Sequence, residues 1–81
     1  MNNNQQSSYD EALDVTGLNC PLPVLRTKKS LNLMSSGQIL SIVATDRNAM
    51  KDLEVLCLQS GNELLEAYEQ ANKFYFLIKK K

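Results

Sequence analysis

Gly17, Gly37 and Gly61 are the only glycines in the sequence, and each closes a segment of regular apolar spacing. That punctuation constrains the fold more than any other feature, because glycine marks where a helix or strand stops. Before Gly17, "ALDVTG" (12–17) alternates Leu13 and Val15 with Asp14 and Thr16, which predicts a short strand and a turn. From Pro21 a helix is expected, since proline suits the first helical position. Val24, Leu31 and Met34 form its inner stripe, and "SSG" (35–37) ends it with Gly37 as the C-terminal cap. "QILSIVAT" (38–45), dense in aliphatic and β-branched residues, predicts a strand covered on at least one face.

Asp46 or Asn48 can cap a second helix. Its inner stripe is Ala49, Met50, Leu53, Leu56, Cys57 and Ser60, and Gly61 stops it. "FYFLIK" (74–79) is the last strand. The segment "NELLEAYEQANK" (62–73) is ambiguous: its composition favours helix, yet Leu65 and Ala67 alternate with Leu64, Glu66 and Tyr68 as in a strand. Topology favours the strand, with a hairpin at about 70–73 pairing it to the last one. Helices alternating with strands imply helices packed on a sheet.

The chain has 81 residues and is expected to form one domain, 11–81, after a polar, disordered arm at 1–10. That arm has no basic start and no apolar stretch, so it does not read as a signal peptide, and the expected address is the cytoplasm. No apolar run approaches the roughly 18 residues a membrane span requires. Formal charge is zero, which argues against strong, purely electrostatic nucleic-acid binding. There is no histidine, so Cys–His and Ser–His nucleophile pairs are excluded. Two separated cysteines do not fill a tetrahedral metal site, and no cofactor is expected.

Within "GLNCPLPVL" (17–25), Pro21 as first helical residue makes Cys20 the N-cap, facing the free N–H groups of the first turn. Pro21 and Pro23 remove two donors and stiffen the turn. A helix terminus contributes about 0.3–1 kcal/mol to an anion there, less than about one pKa unit. Cys20 is therefore expected to be more reactive but not fully ionised, with Arg26, Lys28 or Lys29, or a partner, supplying more. Without a base in cis it suits accepting and donating sulfur better than hydrolysis. The plainer reading makes Cys-Pro mere punctuation at a helix start; for Cys57, core packing is the favoured reading.

"LDVTGLNCPLPVLRTKKSL" resembles the amino-terminal signature of the TusA/SirA-type sulfur carriers, a Cys-Pro-x-Pro motif after a short strand ending in Gly-Leu. The likeness continues through "GQILSIVATD", the "LC" of the second helix, "SGNELLE" and "FYFLIKK", covering roughly 12–79. It implies an α+β fold, a two-layer α/β sandwich in the order β-α-β-α-β-β, with two helices on one face of a four-stranded mixed sheet. It assigns 62–70 as a strand. It also implies that Cys20 is the catalytic carrier, accepting sulfane sulfur as a persulfide from a donor such as a cysteine desulfurase. The sulfur then goes to a downstream acceptor protein, ultimately for 2-thiouridine in tRNA in the best-understood branch. Pro21, Pro23 and Gly17 would shape the site, and Arg26, Lys28 and Lys29 would dock partners. Leu22, Arg47, Glu54 and Asn62 depart from residues common in relatives and bear on which donor and acceptor are served. The alternatives are a non-catalytic RNA-binding or regulatory module contacting through Arg26, Lys28, Lys29 and the terminal lysines, or delivery to selenium or molybdenum-cofactor chemistry.

Overall fold

The computed structural model describes residues 8–81. Its elements are β1 (Glu11–Val15), α1 (Leu22–Asn32), β2 (Ile39–Ala44), α2 (Ala49–Ser60), β3 (Glu63–Gln70) and β4 (Lys73–Lys79). β2 pairs parallel with β1 and antiparallel with β4, and β3 closes the other side of β4 antiparallel, giving the order β1-β2-β4-β3. This is the mixed four-stranded sheet and two-helix layer that the sequence implied. Residues 1–7 of the expected arm lie outside the described residues. Its last residue, Asp10, donates its N–H to the Ile39 carbonyl (2.8 Å) and accepts the Ile39 N–H on Oδ2 (2.8 Å).

The period of two along β2 separates the faces: Leu40, Ile42 and Ala44 are buried, whereas Ile39, Ser41 and Val43 are half-buried. Leu40 and Ile42 stand opposite Ile78 and Phe76 of β4, and this row forms the floor on which the helices sit. From α2, Ala49, Leu53, Leu56 and Cys57 descend onto it, all from the stripe read in the sequence. α1 contributes Pro23, Thr27 and Leu31. The inner stripe is thus turned from the expected one, with Val24 and Met34 half-buried at its margins. Each large aliphatic or aromatic side chain buried this way is worth about 1.5–3 kcal/mol.

Two local expectations are corrected. α1 ends at Asn32 with Leu33 as its cap, well before Gly37, which sits at φ +89° in the turn into β2. At this end Lys80 reaches over from the end of β4 and caps the last turn, donating from Nζ to the Leu31 carbonyl (2.8 Å). Its own backbone pairs with Gly37 and Gln38. Lys80 is therefore a structural clasp rather than part of a loose basic tail. The strand reading of 62–70 holds, but its facing differs. A bulge between Leu64 and Glu66 lets Leu64 and Ala67 stand opposite core residues Ile78 and Phe76, leaving Leu65 exposed. Of the two candidate caps of α2, Asn48 is the N-cap, and it makes no capping bond through its side chain.

The β3–β4 hairpin turns through Ala71 (φ +53°) and Asn72 (φ +65°), a two-residue turn with both φ positive. Asparagine tolerates that region, whereas alanine is held there at a cost of about 1–2 kcal/mol. Ala71→Gly or Ala71→Asn should therefore raise stability by about 0.5–1 kcal/mol in urea denaturation; unchanged or lower stability would show that the turn is not so strained. Burial pushes the Cys57 thiol above its ordinary value. The unfolded chain then releases that proton first, so stability should decline as pH rises beyond about 8.5. Cys57→Ala should flatten this alkaline decline even though it leaves the core less well filled, and equal slopes would contradict the assignment.

Candidate functional site: a pinned cysteine beside an apolar groove

β1 and β2 run parallel, and each is followed by a helix, so the β1–α1 and β2–α2 loops emerge at the same end of the sheet. The second loop holds the first. Thr45 Oγ1 accepts the Gly17 N–H (2.8 Å), and Asp46 Oδ2 accepts the Cys20 N–H (2.7 Å). The other Asp46 oxygen accepts from the Asn48 backbone (3.2 Å) and side chain (3.4 Å), fixing the carboxylate itself. Within the first loop, Thr16 N–H donates to Asp14 Oδ1 (2.9 Å), and this bond is the chief reason the Asp14 carboxyl lies below the ordinary range. Gly17 adopts φ +79°, a conformation that glycine takes without strain.

The helix start differs by one residue from the sequence expectation. Pro21 is the N-cap, Leu22 is the first helical residue and Pro23 follows in the first turn. The Cys20–Pro21 peptide is cis. Leu22 spends its N–H on the Asn19 carbonyl (2.9 Å), so it is not one of the free donors expected around the sulfur. Cys20 stands one position outside the cap and is exposed, while Cys57 is buried in the core; both are free thiols.

The electrostatics also depart from expectation. The Cys20 thiol is pushed above its ordinary value, first by its hydrogen bond to the Asp52 carboxylate, then by loss of solvent, then by the negative charges of Asp52 and Asp46. The helix terminus was expected to favour the anion, but the carboxylates of Asp52 and Asp46 outweigh it. Asp52 was read in the sequence only as a polar residue off the α2 stripe. Its signal was obscured because residues 20 and 52 meet only through the parallel pairing of β1 with β2.

Cys20 and Pro21 border a groove of about 360 Å³ between the helices. Val24 and Leu25 of α1 and Val55 and Leu56 of α2 form its apolar walls, with Lys28, Lys51, Asp52 and Gln59 as polar lining. Leu22 and Leu25, 41% and 53% exposed, add apolar surface beside the thiol. Of the basic residues singled out from sequence, Lys28 faces this groove. Arg26 and Lys29 are exposed elsewhere on α1, and Lys51 was missed. Pro23 is buried under the helix start, where it braces α1 against the sheet. The arrangement presents one exposed sulfur on a fixed backbone next to an apolar groove.

Comparison with known proteins agrees with this fold. Residues 11–80 match the family model described as sulfurtransferase TusA. The chain is 55% identical over 74 residues to the sulfur carrier protein TusA of Allochromatium vinosum, covering 91% of this chain and 97% of that protein. It is 38% identical over 73 residues to the sulfur carrier protein TusA of Pseudomonas entomophila, covering 90% and 91% of the two chains. Its fold is similar to a SirA-like protein of Desulfitobacterium hafniense, with a TM-score of 0.77 at 24% identity, covering 86% of this chain and 96% of that one. With its fold and its family model in agreement over nearly the whole chain, this protein belongs to the TusA family of sulfur-carrying sulfurtransferases.

Proposed function

We propose that the protein carries sulfane sulfur as a persulfide on Cys20 and relays it between two proteins in the cytoplasm. The observation that carries this reading is the placement of Cys20: exposed, its backbone pinned by Asp46, at the edge of the apolar groove between α1 and α2. In the loading step the Cys20 thiolate attacks the terminal sulfur of a donor persulfide, R–S–SH. An Sγ–S bond forms, the donor S–S bond breaks, and the donor leaves as a thiolate. No net oxidant or reductant is consumed, because one persulfide is exchanged for another. A cysteine desulfurase-type enzyme supplies such a donor, and unloading repeats the step toward an acceptor protein, with thiolation of tRNA as the end use.

Gly17, Pro21 and Pro23 shape the site by fixing the loop and the first turn of α1. Lys28 lines the groove, and Arg26 and Lys29 extend a basic surface along the exposed part of α1. These charges steer an acidic partner surface and align it, a role that acts mainly on association rate. The apolar walls supply the contact area once the partner has arrived.

Incubating the reduced protein with a cysteine desulfurase and cysteine should add one sulfur atom, located at Cys20 by peptide mass spectrometry. Cys20→Ser should abolish the addition, and Cys57→Ala should keep it. Labelling at Cys57 alone, or none on the wild-type chain, would overturn the proposal.

A further inference from the structure

The helices cover one face of the sheet, and the opposite face carries a pattern that the Cys20 site does not use. The period of two along each strand, with the register between strands, sets that face out in columns. β4 contributes Lys73, Tyr75, Leu77 and Lys79. β3 lays Glu63 opposite Lys79, Glu66 opposite Leu77 and Tyr68 opposite Tyr75. On the other side of β4, β2 adds the uncharged Ile39, Ser41 and Val43. The Tyr68 and Tyr75 rings stack, their centroids 5.2 Å apart and their planes 16° from parallel. Tyr68 is still 45% exposed, and Leu65 in the bulge beside it is 39% exposed. The centre of this bare face is thus aromatic and aliphatic, and charges stand around it.

We propose that a second copy of this chain docks on the bare face, giving a two-fold dimer with its helices, and both Cys20 thiols, on the outside. The charge pattern selects that occupant. An acidic column on β3 lies beside a column on β4 that is basic at both ends. A two-fold axis along the seam between these strands sets each column over the other column of the second copy. Glu63 of each copy then meets Lys79 of the other, and Tyr68 of each meets Tyr75 of the other. An axis along β4 itself would instead set Lys73 and Lys79 on their own equivalents. A nucleic acid would meet the carboxylates of β3, and a strongly basic protein would meet the lysines of β4, so neither fits the whole face. Pairing edge to edge through β3 is disfavoured, because Glu63, Glu66 and Glu69 lie along that strand and the bulge interrupts its ladder. Face to face, two sheets interdigitate side chains at about 10 Å separation, and the tyrosines add aromatic contacts beyond their area. The inference goes beyond the sulfur-carrier reading and stands apart from it, since the groove beside Cys20 lies between the helices on the other layer.

The test is sedimentation equilibrium of the full chain at concentrations up to about 1 mM, in reductant so that disulfide-linked dimers do not contribute. The mass should rise with concentration from the 9.1 kDa of one chain toward twice that value. Tyr68→Glu should keep the wild-type circular dichroism and stay monomeric. Glu63→Lys and Lys79→Glu should each weaken association by about tenfold, because like charges then face each other across the axis. Mixing these two variants in equal amounts should restore wild-type association, since each presents the charge that the other now needs. Rescue on mixing reads a contact between chains, which a change inside one chain does not produce. A wild-type chain that stays at 9.1 kDa over the whole range would overturn the inference. So would association that survives Tyr68→Glu, or that the mixture fails to rescue, either of which would place the contact on another surface.

Discussion

One hydrogen bond ties the site to the fold: the Cys20 N–H donated to Asp46 Oδ2 at 2.7 Å. It joins two loops 26 residues apart in sequence and transmits the parallel register of β1 and β2 to the position of a single sulfur atom. A charge-assisted bond to a backbone N–H is among the stronger kinds in a protein. Here Asp46 is itself immobilised by Asn48 and by the start of α2. The neighbouring Thr45–Gly17 bond joins the same two loops. The cysteine is exposed, yet its main-chain N–H is tied to a carboxylate that is itself held in place.

The same two carboxylates create an opposition within the site. A helix start favours an anion in front of it, but Cys20 lies one residue outside the cap and Leu22 has already given its N–H to Asn19. Asp52 lines the same groove as the thiol and is the chief cause of its raised pKa. A full charge nearby outweighs a partial charge spread over a helix turn. The carboxylates of Asp52 and Asp46 thus raise the Cys20 thiol above its ordinary value, where a helix start alone would lower it.

Much of the architecture was legible in the sequence because it follows from local rules. The alternation of Leu13 and Val15, the stripe of Ala49, Leu53, Leu56 and Cys57, and the stop at Gly61 each depend on residues within a few positions. The Cys-Pro-Leu-Pro stretch likewise identified the one exposed thiol. What escaped depends on distant residues. Lys80 caps α1 from across the sheet, the bulge at Leu65 turns Leu64 inward, and Asp52 comes to the groove of Cys20 only after both parallel strands have paired. Helical composition misdescribed 63–70 for the same reason: pairing with β4 supplies backbone bonds and packing that outweigh helix propensity.

The account rests on the anchoring of the Cys20 main chain, and amide hydrogen exchange at Cys20, followed by NMR in the reduced free protein, measures it most directly. Strong protection of that single amide, lost in Asp46→Ala while the amides of β2 and β4 stay protected, is the predicted result. Exchange at Cys20 as fast as in an unfolded chain, with the sheet intact, would contradict it.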